Sequence, residues 1–289
     1  MKRGPQRSPA SQRGVALLLV LWACTLLAIL LGGYAALART EGLQARYQFA
    51  QTQAHYAAEA GLMRAVYGLQ SPQTGQRWVG DGRLYTFRYD GATVSVWAID
   101  EGGKVDLNAA SPEVLQGLFQ AAGLPPAPAQ ALAGHVLDWR NPVGLEGEAA
   151  SQRAAYLADG RDYGPRHGPF ASVEELQMVL GMTPTLYRLV APAVTIWAGS
   201  ASPDPNTAPP LALAAIPGMT PEQQRMIEAA RQRNANDPRL VLGNGTTHSI
   251  RSEATLADGT RAILRATVRL QAGQAQPYMV LRWQEGEAE

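Results

Sequence analysis

The stretch QRGVALLLVLWACTLLAILLGG, residues 12–33, decides the fold because it fixes what the first helix must be. From Val15 to Gly33 run nineteen residues without a charge, and a helix needs about 20 apolar residues to cross a bilayer. A secretory signal has a shorter apolar core, about 7 to 15 residues, followed by unrelated sequence after its cleavage site. Here the helical pattern continues past the apolar run, so the segment reads as a retained span. The charges before it, Lys2, Arg3, Arg7 and Arg13, are all positive. Basic flanks stay on the cytoplasmic side, which predicts an N-terminus inside and an exported chain from about Tyr34 onward.

Beyond the span the pattern turns amphipathic. Leu43, Tyr47, Ala50, Ala54, Ala57, Gly61, Ala65 and Leu69 recur at steps of three and four, with Gln44, Gln48, Gln51, His55 and Glu59 opposite. Alanine dominates this stripe, and small side chains admit another backbone at close range, so the face is expected to lie flat on a sheet or a helix. Ser71 and Pro72 stop the helix. The reading is one helix over 15–70, transmembrane over 15–33, roughly 80 Å long at about 1.5 Å per residue. The 289-residue chain is 46% hydrophobic with net charge +1. That suffices for one good core or two modest ones, without a strong electrostatic bias toward nucleic acid or anionic lipid. Its one cysteine, Cys24, lies in the apolar run, so the exported part forms no intrachain disulfide and relies on packing or bound metal.

Two β regions flank a helical middle. RLYTFRYDGATVSVWAI (83–99) alternates Tyr85, Phe87 and Tyr89 with polar residues, turns at Asp90-Gly91 and resumes with Val94 and Val96. HSIRSEATLADGTRAILRATVRL (248–270) repeats the design with a turn at Asp258-Gly259, and YMVLRW supplies a last strand. Neither region is wide enough to stand alone. The expectation is therefore one antiparallel sheet built from 71–104 and 241–289, interrupted by an all-helical insertion at 105–240.

Within that insertion three stretches resemble one another: NAASPEVLQGLFQAAGLPP from Asn108, FASVEELQMVLGMTP from Phe170 and NTAPPLALAAIPGMTP from Asn206. Each has a capping residue, a helix carrying a leucine (Leu115, Leu176, Leu213), a glycine turn, and a proline three residues later that opens the next helix. These are helical hairpins, with Phe170, Leu180, Met182 and Met219 in their core. Hairpins of this kind also bind DNA, through a glycine-hydrophobe-glycine turn whose amides meet phosphate. Here Gly181-Met182-Thr183-Pro184 and Gly218-Met219-Thr220-Pro221 lack the second glycine and place a proline where an amide would serve. From Lys104 to Leu240 the chain carries ten Lys and Arg against thirteen Asp and Glu, a net of −3, which makes a poor phosphate clamp. A membrane-anchored helix-hairpin-helix DNA receptor is the rival reading.

Nothing in the spacing points to an enzyme. His55, His135, His167 and His248 are scattered as surface or capping residues, and neither a nucleophile elbow nor a phosphate loop is present. One acidic loop, Asp138 to Asp162, carries Asn141, Glu146, Glu148 and Asp159 among glycines, a composition that suits oxygen coordination of calcium or a plain solvated loop.

The basic leader ending in glycine, the retained span, the amphipathic continuation and the following sheet together resemble a type IV pilin-like prepilin, with Arg13-Gly14-Val15 as the processing site. The resemblance implies a leader over 1–14, a cut after Gly14 by a membrane prepilin peptidase, and methylation of a new N-terminus at Val15. Most such subunits carry glutamate fifth after the cut; this chain has Leu19. That departure and the large insertion resemble the general secretion pathway protein K family, the large minor pseudopilins of type II secretion. So do DEGGKVDLNAASPEVL at Asp100, GPFASVEELQMVLGMTPTLYRLVAP at Gly168 and PNTAPPLALAAIPGM at Pro205.

The family implies an α+β fold, with a long N-terminal helix packed on an antiparallel sheet, and a non-enzymatic role at the pseudopilus tip in protein transport across the outer membrane. Its implied partners are two smaller minor pseudopilins, the major pseudopilin and the prepilin peptidase, with no nucleic acid. It places the anchor in the inner membrane and the C-terminal domain in the periplasm. It also implies calcium, here with Asp138, Asn141, Glu146 and Glu148 as its ligands. A buried glutamate needs a positive partner in lipid, and a first subunit has none above it, so Leu19 fits the tip. A minor pilin of a true type IV pilus is a further alternative.

Overall fold

The computed structural model describes residues 13–73, 75–143, 146–234, 245–271 and 276–286; leader residues 1–12 lie outside them. Helix α1 runs Arg13–Leu69. By its internal contacts the chain divides into Met1–Gln53 and Ala54–Glu289. In the first unit the apolar side chains from Val15 to Leu37 stand exposed along the helix, which is long and apolar enough to cross a membrane. The hydroxyls of Thr25 and Thr40 are satisfied within it. Thr25 Oγ1 donates to the Leu21 and Trp22 carbonyls at 3.0 and 2.8 Å, and Thr40 Oγ1 to Ala36 at 3.0 Å, as a lipid environment requires.

In the second unit α1 turns its small-residue stripe to a sheet. Ala54, Ala57, Ala58, Leu62, Ala65, Val66 and Leu69 are buried, and all but Ala54 share a core with Val94, Val96, Ala98, Ile250, Leu264, Ala266 and Val268. The sheet has five strands, β1 (Asp81–Tyr89), β2 (Ala92–Asp100), β5 (Thr247–Thr255), β6 (Arg261–Leu270) and β7 (Tyr278–Gly286), in the order β1-β2-β5-β6-β7. All its pairings are antiparallel. The two predicted β regions therefore join edge to edge through β2 and β5, as one interrupted sheet. Asp90 (φ 46°) and Gly91 (φ 79°) both take positive φ, the two-residue turn whose twist matches the strands. The second turn differs from its expected form. Leu256 N donates to Thr260 O at 2.9 Å and Gly259 N to Leu256 O at 3.1 Å, so the loop has three residues, Ala257 to Gly259, with only Gly259 at positive φ.

Between β2 and β5 lie α2 (Pro112–Ala121), α3 (Pro126–Arg140), α4 (Glu146–Ala158), α5 (Pro184–Val190), α6 (Pro210–Ala214) and α7 (Pro221–Asn234). Ser111 Oγ accepts from Val114 N, and Thr183 Oγ1 from Leu186 N, so α2 and α5 start at side-chain caps. Gly123, Gly181 and Gly218 all take positive φ, and the prolines three residues later open α3, α5 and α7 as expected. Leu115, Leu176 and Leu213 are fully buried in one core with Phe170 and Met182, while Leu180 and Met219 pack on its margin.

Two expectations are corrected. The insertion is not all-helical, because β3 (Val105–Asp106) pairs in parallel with β4 (Val194–Thr195) at its base. In the second hairpin the first arm, Val173–Met178, is helical as expected but of the tighter 3-10 type. The acidic stretch is not simply a loop. It contains α4, whose alanine-rich sequence favours helix but shows no apolar stripe, anchored by the buried ring of Tyr156.

A Cβ placed on Gly61 would stand 2.2 Å from Ser252 Oγ and 2.7 Å from Val94 Cγ1. Gly61→Ala should therefore lower unfolding stability by about 1 to 3 kcal/mol. Gly134→Ala in α3, with nothing within 4 Å, should be neutral or stabilising by up to about 1 kcal/mol. Denaturant unfolding of the purified chain compares them, and equal effects would contradict close helix–sheet contact.

Candidate functional site

The insertion is joined to the sheet by buried carboxylates. Asp100, 1% exposed, ends β2. Its Oδ1 accepts from Gly102 N at 2.8 Å and its Oδ2 from Gly245 N at 2.6 Å, bridging the exit and the return of the chain. Glu101 beside it is also buried and pairs with Lys104 Nζ at 2.6 Å. His248 lies directly across from Asp100 in the β2–β5 register, fully buried and with neither ring nitrogen hydrogen-bonded among the described residues. Burial pushes its pKa down, against the opposing pull of Asp100 and Glu101. His248 is thus a core residue rather than the surface or capping histidine expected.

One turn further on, Asp106 repeats the device. Its Oδ1 accepts from Asn108 N at 2.7 Å and its Oδ2 from Gly199 N at 2.6 Å, so it ties β3 to the segment after β4. Asn108 pairs with the backbone of Phe170 in both directions: Nδ2 donates to its carbonyl at 3.1 Å and Oδ1 accepts from its N–H at 2.7 Å. Arg140, at the end of α3, donates to the carbonyls of Leu107 at 2.9 Å and Ala110 at 2.8 Å. Burial lowers its pKa, and Asp106 opposes the shift. The sequence marked the stretch around Asp106 and Asn108 but not these roles, because the partners lie up to 93 positions away.

The predicted calcium residues are only partly brought together. Asp138 is half-buried on α3. Burial raises its carboxyl pKa, and among the charges acting on it Glu148 on α4 also raises it, while His135 and His167 pull it down. Asn141 caps α3 through its backbone N–H to the Leu137 carbonyl and is exposed. The side chain of Glu146 lies outside the described residues. Asp159 is committed to Arg161 at 2.9 Å, and Glu175 to Arg166 at 2.6 Å. Among the described residues no group of three or more His, Cys, Asp or Glu is gathered to hold a metal ion. Asp138 nevertheless has the right chemistry, a partly desolvated oxygen donor that feels the charge of the exposed Glu148 and that a cation would relieve.

Gly14, Val15 and Leu19 all fall in the first two turns of α1, where Val15 and Leu19 are each 64% exposed. The side chain position of Gly14 lies outside the described residues. Cys24 is free and exposed on the same apolar run.

Residues 96–199 match the family model described as Type II secretion system (T2SS), protein K. The matched stretch runs from the middle of β2 through the Asp100 and Asp106 junctions to the residue that Asp106 holds, Gly199. No curated protein matches the sequence. Among solved structures, a chain of the GspK-GspI-GspJ complex from the enterotoxigenic Escherichia coli Type 2 Secretion System matches at TM-score 0.53 and 16% identity. The match covers 87% of this chain and 99% of that one; at such identity the likeness is one of fold.

Because Asn108 satisfies both backbone groups of the buried Phe170, Asn108→Ala should cost about 1 to 3 kcal/mol through the groups left unpaired. Asn206→Ala, which loses only an exposed contact to Asp204, should stay within about 0.5 kcal/mol. Chemical denaturation of the two variants checks the difference.

Proposed function

We propose that this chain, which belongs through residues 96–199 to the type II secretion system protein K family, is a non-enzymatic minor pseudopilin that caps the pseudopilus and supports protein export across the outer membrane. One observation carries the reading. The family-matched stretch is the very junction at which a pilin-like sheet opens into a helical insertion, from β2 to beyond β4. The insertion domain is taken as 105–240, the leader as 1–14, and the anchor as an inner-membrane span over 15–33 with its N-terminus in the cytoplasm and the rest in the periplasm. A prepilin peptidase cuts after Gly14, and Val15 is methylated. The structurally similar chain comes from a three-protein complex, which supports two smaller minor pseudopilins as partners here, with the major pseudopilin below them. The DNA-receptor alternative is disfavoured by the net charge of −3 between Lys104 and Leu240.

Position at the tip is tested at Leu19. With no subunit above to offer an amine, Leu19→Glu places a carboxylate in the apolar run without a partner, at about 2.5 to 3.5 kcal/mol if charged at mid-bilayer and less near the interface. Secretion of a reporter cargo should fall while the membrane level of the variant, followed by blot, is unchanged. Equal or improved secretion would remove the tip position.

Calcium, held by Asp138 and Glu148 with Asn141 and Glu146, would stabilise the native state by mass action, about 2.7 kcal/mol at a hundredfold excess over Kd. Thermal melts of the purified chain should shift upward with calcium and downward with chelator, and Asp138→Asn should abolish the difference. Identical curves for the unmodified chain in calcium and in chelator would end the proposal.

A further inference from the structure

The face of the sheet turned away from α1 has a depression of about 390 Å³, lined by Trp97, Ile99, Arg251, Arg265 and Arg282 among others, with no acidic residue in its lining. Strand register explains the clustering. Trp97 pairs with Arg251, Arg251 with Arg265, and Arg265 with Gln284, so one row crosses β2, β5, β6 and β7. The next row runs Ile99, Ser249, Thr267, Arg282, floored by the Ser249 Oγ to Thr267 Oγ1 hydrogen bond at 3.1 Å. Like charges directly opposite on neighbouring strands destabilise a sheet, and Arg251 faces Arg265 in that relation.

The charges are only loosely neutralised. Arg251 reaches Glu253 at 3.3 Å, and Arg282 reaches Glu174 of the insertion at 2.8 Å, both through partly exposed side chains, and such pairs are readily exchanged. Arg265 has no acidic partner among the described residues. The Arg251 guanidinium stands 5.2 Å from the centroid of the Trp97 ring, and Ile99 is 38% exposed beside it.

We propose that this depression is a docking groove for an extended acidic segment of another protein, whose carboxylates meet Arg265 and Arg251 and whose apolar residues rest on Trp97 and Ile99. Charge complementarity selects the occupant: Arg265 has no acidic partner among the described residues and Arg251 and Arg282 hold exchangeable ones, so the site favours an anion, and the aromatic and aliphatic wall favours more than a bare one. Size agrees. The row from β2 to β7 crosses three strand spacings, about 14 Å at about 4.8 Å each, the reach of about four extended residues. The proposal does not depend on the pseudopilin reading.

The test uses the full chain in neutral detergent and a fluorescein-labelled hexapeptide of four glutamates and two leucines, with a glutamine-for-glutamate peptide as control. The acidic peptide should bind in a salt-dependent manner, and Arg265→Glu should weaken it by at least about tenfold. The same substitution places opposite charges across from each other, so it should leave the melting temperature unchanged or raise it. Trp97→Ala should weaken binding too, whereas Arg225→Ala on α7 should not. Three results would overturn the proposal: equal binding of the glutamine peptide, undiminished binding by Arg265→Glu, or Arg265-dependent binding of phosphatidylglycerol vesicles but not of the peptide.

Discussion

The chain leaves the sheet after Asp100 and approaches it again at Gly245, and one buried carboxylate accepts backbone N–H groups from both sides of that opening. A Cβ on Gly245 would stand 2.4 Å from Asp100 Oδ1, so the approach is possible only because that residue is glycine. With its ends held together, the insertion behaves as a closed loop, and loop closure grows slowly with length, about 0.6 kcal/mol for each doubling. A helical module of this size can therefore sit between β2 and β5 without separating them. Asp106 performs the same service one strand further on, binding Asn108 and Gly199. The two carboxylates divide the work between the sheet and the helical core.

Beneath that junction the helix–sheet seam supplies the apolar energy. Its alanines let α1 lie close on Val94, Val96 and Ile250, and Gly61 removes the last obstacle, Ser252 and Val94. Residues chosen for close approach bury little area each, so the seam relies on length and on dense packing rather than on large side chains. The insertion has its own core, around Leu115, Leu118, Phe119, Leu176 and Leu213. The chain thus stabilises two cores and must connect them through polar groups at their boundary, which is where its buried charges are found.

Much of this was legible in advance because single residues dictate local geometry. Asp90-Gly91 imposed a two-residue turn, the prolines at 126, 184 and 221 opened helices, and the alanine stripe gave the buried face of α1 from Ala54 onward, whereas Leu43 and Tyr47 of the same stripe are exposed. What escaped depended on distance or on register. Helix α4 shows no apolar stripe, and its charges read as a loop. Asn108 shows its importance only when Phe170, 62 positions later, lies against it. The row of arginines on the outer face depends on the β5–β6 register, which the three-residue loop sets and a two-residue turn at Asp258-Gly259 would have shifted. Pattern alone also did not separate the calcium residues, of which Glu148 acts on Asp138 through its charge while Asp159 is already paired to Arg161.

As proposed above, this chain is the large member of a tip assembly. The most direct measurement is native mass spectrometry of the chain co-purified, under gentle detergent, with two smaller minor pseudopilins from the same secretion system. The expected result is one species containing a single copy of each protein, persisting through dilution and size-exclusion chromatography. Recovery of this chain alone, with neither smaller pseudopilin bound although both are folded and present, would contradict it.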